Sequence, residues 1–325
     1  GNRLSVVGSD LDLTIRVDAV VGGHEDGAAV LPAKLVTDIV RALDSGQVEI
    51  AVDEEGARIT SGRSDFSLRV MAADEFPRFE APGGEAVTLD AENVATALEQ
   101  VVKAASGDDS RPILTGVLLA AEDDGLRFVA TDSYRLAVRD LPGTSILGRD
   151  QTVLVPSRAL EVTGRLLGDA DELTIRLDER EASFEVGDVT IVTRLIEGEF
   201  PNYRGLIPTD HPNALVVDRT ALIDAVRRVG LLAKDATPVR LAMTGDGLEL
   251  IAITQDVGQA HETVDATYEG SDLTVAFNPG YLLDGLEVSP GDEVRLETID
   301  SLKPAVIRSV GDDGFLYLLM PVRVS

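Results

Sequence analysis

The stretch VPSRALEVTGRLLGDADELTIRLDEREASFEVG (155–187) holds one complete structural phrase. Pro156 stands at its start, and a proline there is pre-organised for the first turn of a helix. Leu160 and Leu167 fall on one side of the helical pattern that follows, with Arg158 and Arg165 sharing the other. The rest alternates as two strands. Two further stretches follow the same plan: LPAKLVTDIVRALDSGQVEIAVDEEGARITSG from Leu31 and FNPGYLLDGLEVSPGDEVRLETIDSLKPAVIRS from Phe277. Their prolines, Pro32, Pro156 and Pro279, recur at a spacing of about 124 residues.

The intervening halves repeat as well. GLRFVATDSYRLAV from Gly125 matches GLELIAITQDVGQA from Gly247, about 122 residues later, and RLSVVGSDLDLTI from Arg3 fits the same frame upstream. Helical patterns precede the second and third, LDAENVATALEQVVKAAS and VDRTALIDAVRRVGLLAK. The unit is a strand, a helix and several antiparallel strands, used twice per domain. A period this long is no solenoid; it predicts an α+β chain of three tandem copies of one domain, at 1–84, 85–209 and 210–325. The breaks fall near Pro82–Glu85 and Pro208–Asn213. In this frame the first copy is incomplete, its opening strand and helix falling before Gly1.

Composition narrows the function. The 325 residues include no cysteine, which excludes disulfides, thiolate chemistry and zinc–thiolate sites. The first ten residues do not read as a signal peptide, and no run approaches 18 apolar residues, so a soluble, cytoplasmic protein without a membrane partner is expected. An enzyme needs a constellation, and none is visible. His24, His211 and His261 share no metal-ligand spacing, and His211, before Pro212, reads as a surface residue. The acidic clusters Asp53-Glu54-Glu55 and Glu122-Asp123-Asp124 read as solvated turns. No catalytic residue, metal or cofactor is expected. A carboxylate metal-dependent hydrolase is the alternative, and it would be stabilised by divalent metal.

A net charge of −28 argues against simple affinity for nucleic acid, which is built on phosphate neutralisation. Yet charge is segregated. The helical windows 34–43, 91–105, 157–167 and 219–230 hold eight basic and five acidic residues, against 29 and 57 in the whole chain. Lys34, Arg41, Lys103, Arg158, Arg165, Arg219, Arg227 and Arg228 are therefore either solvated helix faces or a surface that meets phosphate without reading sequence. The window 280–287, GYLLDGLE, has no basic residue and departs from the pattern.

VATDSYRLAV (129–138), EGEFPNYRGLIP (197–208), FNPGYLLDGL (277–286), SGRSDFSL (61–68) and the terminal YLLMPVRV (317–324) resemble the bacterial sliding clamps, the beta subunits of DNA polymerase III holoenzyme. The match spans the chain in order. It implies a non-catalytic processivity factor: a head-to-tail homodimer whose ring has helices inside and sheets outside, with double-stranded DNA held by topology. It also implies an apolar pocket between the second and third domains, where short linear motifs of the replicative polymerase, the clamp loader and repair proteins dock.

Carried over, that pocket comprises Leu114, Thr131, Ser133, Tyr134, Arg135 and Leu136; Pro201 and Leu206; and Asn278, Tyr281, Leu302, Leu318, Leu319, Met320, Pro321, Val322 and Arg323. Ordinary core aromatics are the alternative for Tyr134 and Tyr281. Arg111 would lie near the duplex. Phe66 and Leu68 would meet Leu231 and Leu232 of the partner, the alternative being core residues of their own sheets. Three departures stand out: Gly205 where an arginine is common, Ser133-Tyr134 where Gly-His is usual, and Val324-Ser325 for a terminal leucine. A clamp paralogue, for instance one conferring inhibitor resistance, would share ring and pocket.

Overall fold

The structure is a computed structural model. It describes all residues except 54, 55, 72, 78, 79, 234–236, 256 and 325, so Glu54, Glu55 and Ser325 of the motifs above lie outside the described residues. Five α-helices lie among those described: α1 (Ala33–Ala42), α2 (Ala91–Val101), α3 (Ser157–Leu166), α4 (Arg219–Gly230) and α5 (Pro279–Val288). Their starts have local causes. Asp90 accepts a hydrogen bond from Asn93 N at 2.9 Å, Asp218 from Ala221 N at 2.7 Å, and Asn278 from Gly280 N and Tyr281 N at 2.9 and 3.2 Å, each satisfying orphan donors of a first turn. Helices α1 and α3 instead follow Pro32 and Pro156, which no side chain caps.

The repeat frame treats the three units as separate, but the sheets cross its borders. A six-stranded sheet joins Arg3–Ser9 and Leu13–Val20 to Val189–Arg194, Glu181–Val186, Glu172–Leu177 and Ala86–Asp90. The crossing pairs run from Val17 with Val189 to Leu13 with Thr193, and include Ile15 with Ile191. A nine-stranded sheet passes from the second unit to the third where Arg135–Pro142 pairs with Asp312–Leu319. A four-stranded sheet runs from Gly258–Val264 to Leu273–Phe277, and a three-stranded one spans Glu49–Val52, Ala57–Ser61 and Ser64–Leu68.

Helices α2 to α5 cover one face of the three larger sheets. Helix α2 packs against α3 and α5, and α4 against α5, over a shared apolar core running from Leu13 to Leu319. Of α1, only Ile39 is buried, while Leu35 and Val40 remain exposed on the apolar side read from the sequence. Gly285 inside α5 has a steric reason. A Cβ there would lie 2.4 Å from the ring of Tyr317, so the helix accepts glycine's roughly 1 kcal/mol propensity cost to let the last strand approach. Among the described residues, no helix is long and apolar enough to cross a membrane.

Candidate functional site

At the seam between the second and third units, Leu318 stands opposite Leu136, and Leu319 opposite Arg135. Side chains alternate along a strand. Leu136 and Leu318 therefore face outward, in a cluster with Leu118, Val129, Val306 and Tyr203 beneath Phe200 and Ile207 of the connecting segment. Leu319 points the other way, into the helix-covered core. It shares that face with Arg135, its partner in the ladder.

The turn before Arg135 is built by Asp132 and Thr131. Asp132 Oδ1 accepts from Tyr134 N at 2.8 Å and Arg135 N at 3.0 Å; Thr131 Oγ1 donates to Arg135 O at 2.6 Å and accepts from Ser133 N at 3.1 Å. Ser133 adopts φ 81°, a left-handed conformation that costs a non-glycine residue about 1–2 kcal/mol. The turn sends Tyr134 into solvent, 59% exposed.

Arg135 carries the seam's charge inward. Its Nε donates to Asp132 Oδ2 at 3.0 Å, and its Nη1 pairs with Asp284 of α5. The guanidinium carbon sits 4.4 Å from the centroid of Tyr281, and the Tyr281 ring stacks on Tyr134 at 6.3 Å and 26°. Burial opposes the charge on Arg135, but its carboxylate partners Asp284 and Asp132 favour it, and its pKa lies above the ordinary value. Burial likewise pushes the Tyr317 phenol up. Tyr317 donates its hydroxyl to Tyr281 O at 2.8 Å.

Beyond the last strand the tail is stitched to both units. Met320 N donates to Tyr134 O at 2.9 Å, and Val322 N to Ala276 O at 2.8 Å. Met320, Leu206 and Leu302 are exposed large apolar residues; Pro201, Asn278 and Arg323 are exposed too, with Pro321 and Val322 half-buried. Leu114 is buried in the turn Pro112–Thr115. The structure thus gathers Thr131, Ser133, Tyr134, Arg135, Asn278, Tyr281, Met320 and Val322 into one hydrogen-bonded and ring-stacked shelf. Among the described residues, no hydrogen bond or ring contact joins Leu206 or Leu302 to it. Two nearby concavities, of about 560 Å³ around Phe200–Arg204 and about 710 Å³ around Glu122–Gly125, include only Pro201 of the expected pocket residues. An exposed aromatic beside a flexible thioether suits apolar side chains of varied shape.

On the helix layer, most cations expected to meet phosphate already have partners. Lys103 lies 3.7 Å and Arg227 2.9 Å from Glu287; Arg158 pairs with Asp10 at 2.6 Å, Arg165 with Glu161 at 3.7 Å, and Arg228 with Glu262 at 2.5 Å. Arg219 donates to Gly291 O at 2.8 Å. Lys34 and Arg41 stand exposed on α1. Arg111 is a strut: it donates to Asp108 at 3.0 Å, Asp132 O at 3.3 Å and Ser133 Oγ at 3.4 Å, tying its loop to the turn under Tyr134.

Phe66 and Leu68 share one half-buried face of Ser64–Leu68, an edge strand of the three-stranded sheet. Leu231 is 73% exposed beside Gly258–Val264, an edge of the four-stranded sheet, while Leu232 packs partly into the core. The sequence reading of His211 as a surface residue is corrected: its side chain is 11% exposed and faces Glu297 at 3.6 Å, because the strand Glu293–Thr298 runs directly beneath the junction. Among the described residues, no group of three or more side chains could hold a metal ion.

Sequence reasoning missed Asp132, Asp284 and Tyr317. A lone acid within the apolar run YLLDGL was the available signal for Asp284, since an acid there must find a cation.

Three family models match in order: the N-terminal domain of the DNA polymerase III beta subunit at residues 1–80, its central domain at 88–202 and its C-terminal domain at 204–323. The beta sliding clamp of Streptomyces coelicolor is 35% identical, covering 99% of this chain and 89% of its own. That of Synechococcus elongatus is 33% identical, covering 99% and 88%. Among solved structures, the Bartonella birtlesii sliding clamp bound to griselimycin superposes with a TM-score of 0.93 at 32% identity, over 100% of this chain and 89% of that one. The Bacillus subtilis clamp gives 0.91 at 29%, over 100% and 89%. The chain belongs to the DNA polymerase III beta subunit family, the bacterial sliding clamps.

Proposed function

We propose that the chain works as a homodimeric ring around double-stranded DNA, a non-catalytic processivity factor in the cytoplasm. Two head-to-tail copies would close it, the Ser64–Leu68 edge of one meeting the Gly258–Val264 edge of the other, with Phe66 and Leu68 against Leu231 and Leu232. The observation that carries this reading is an open sheet edge in the first unit and another in the third, flanking three consecutive clamp domains. A heterologous contact between them closes when two arcs complete the circle. The replicative polymerase, the clamp loader and repair proteins would dock short motifs on the shelf around Tyr134, Tyr281 and Met320. Boundaries at 84/85 and 209/210 fit this organisation, the strands at Ala86 and Asn213 opening the second and third units.

The test is retention. The protein is loaded onto a nicked circular plasmid by a clamp loader, isolated by gel filtration, and the plasmid is then linearised. Retention on the circle with loss on linear DNA is expected. Persistence on linear DNA would mean direct affinity and contradict encirclement.

A further inference from the structure

Helix α5 carries no lysine or arginine, and its last turn carries Glu287. Cations from two neighbouring elements converge on that residue. Lys103, in the turn Val102–Ala104 that extends α2, places Nζ 3.7 Å from one carboxylate oxygen. Arg227 of α4 places Nη2 2.9 Å from the other. Arg219 of α4 adds a hydrogen bond at 3.4 Å to the Glu287 carbonyl. Both side-chain pairs are substantially exposed, and exposed pairs contribute only about 0–1 kcal/mol to stability. Folding therefore gives little reason for a carboxylate at this point. Its effect on a polyanion is larger. Each cation that neutralises a phosphate adds roughly 0.9 to the salt dependence of binding to duplex DNA, and a carboxylate already occupying two cations must be displaced first.

We propose that Glu287 is a built-in competitor of DNA phosphate, which limits direct affinity of the helix layer so that retention depends on encirclement. This rests on the reading that the helix layer faces the duplex. Within that reading, Glu287 sets how strongly Lys103 and Arg227 grip the backbone. The departure of α5 from the basic pattern of the other helices then has a role: it supplies the anion that its neighbours share.

The test uses the full chain and a short labelled linear duplex, with binding followed by fluorescence anisotropy across a salt series. Glu287→Gln should bind several-fold more tightly at low salt, with a log–log salt slope steeper by roughly one to two. Glu185→Gln removes the same charge from the sheet side, where Glu185 pairs with Arg176 at 3.2 Å, and should leave the affinity within two-fold and the slope unchanged. In a Lys103→Ala, Arg227→Ala background, Glu287→Gln should give no gain in slope. An equal gain from Glu185→Gln would reduce the effect to net charge and overturn the proposal. If Glu287→Gln changes nothing while the double cation variant weakens binding, the competitor role fails and the DNA-facing reading stands. If the double cation variant also changes nothing, both fall.

Discussion

The chain continues a sheet across a unit border twice, and the two seams differ. At the first, Leu13–Val20 meets Val189–Arg194 with Val17 40% exposed, and the ion pair that spans the units, Arg158 with Asp10, lies in solvent. At the second, Leu316 to Leu319 are all buried, and Arg135 holds Asp132 and Asp284 with an arginine side chain 11% exposed. One hydrogen-bonding device thus gives a lightly packed joint in one place and a rigid floor in the other. The floor lies under the Tyr134–Tyr281 shelf, and the docking proposed there would gain from a pre-organised frame.

Substitutions at matched positions sharpen that contrast. Tyr317→Ala removes a fully buried ring and its hydrogen bond to Tyr281 O, and should cost about 3–5 kcal/mol in urea unfolding. Ile15→Ala, in the half-buried first seam, should cost about 1–2 kcal/mol. Equal costs would erase the distinction. The ion pairs should separate in the same way. Arg135→Ala strands the buried Asp132 and should cost about 3–5 kcal/mol, whereas Arg158→Ala should cost less than about 1 kcal/mol.

Acid offers a third comparison. Burial alone would raise the Asp312 carboxyl, but the Arg139 guanidinium at 2.9 Å and the Gly314 N–H hold it below its usual 3.8. Its contribution is therefore present above about pH 3.8 and is lost as pH falls through the lower, folded value. Asp312→Asn should be less stable at neutral pH and show a flatter acid limb in a stability–pH profile. An unchanged limb would remove Asp312 from the second seam's account.

Much of this was legible in the sequence where the physics is local. The prolines at 32, 156 and 279 and the apolar spacing of the helical windows located the five helices of the described residues to within a few residues, because periodicity and caps act within one turn. Pairing across units was not legible. Nothing in Asp312–Leu319 names Arg135–Pro142 as its neighbour, since strand partners are chosen by tertiary packing. His211 was misplaced for the same reason: what runs beneath a junction follows from that unseen partner. Resemblance brought Tyr134, Tyr281 and Met320 to attention, yet the acids that hold the turn and Arg135, Asp132 and Asp284, emerged only with the fold.

The smallest expected effect concerns the turn itself. Ser133→Gly relieves the φ 81° conformation at the cost of glycine's extra chain entropy, and should raise stability by about 0.5–1 kcal/mol without altering the first seam. A loss of stability would show that the hydrogen bond from Arg111 to Ser133 Oγ outweighs the backbone term.

The central claim is that the second seam is the docking surface, and the most direct measurement removes its rim and leaves its floor. Deleting the last five residues takes away Pro321, Val322 and Arg323 but keeps the strand Asp312–Leu319. Calorimetric titration with a peptide carrying the polymerase's clamp-binding motif should then show no binding, while the unfolding midpoint stays close to that of the intact chain. Undiminished peptide affinity in the shortened chain would contradict the account.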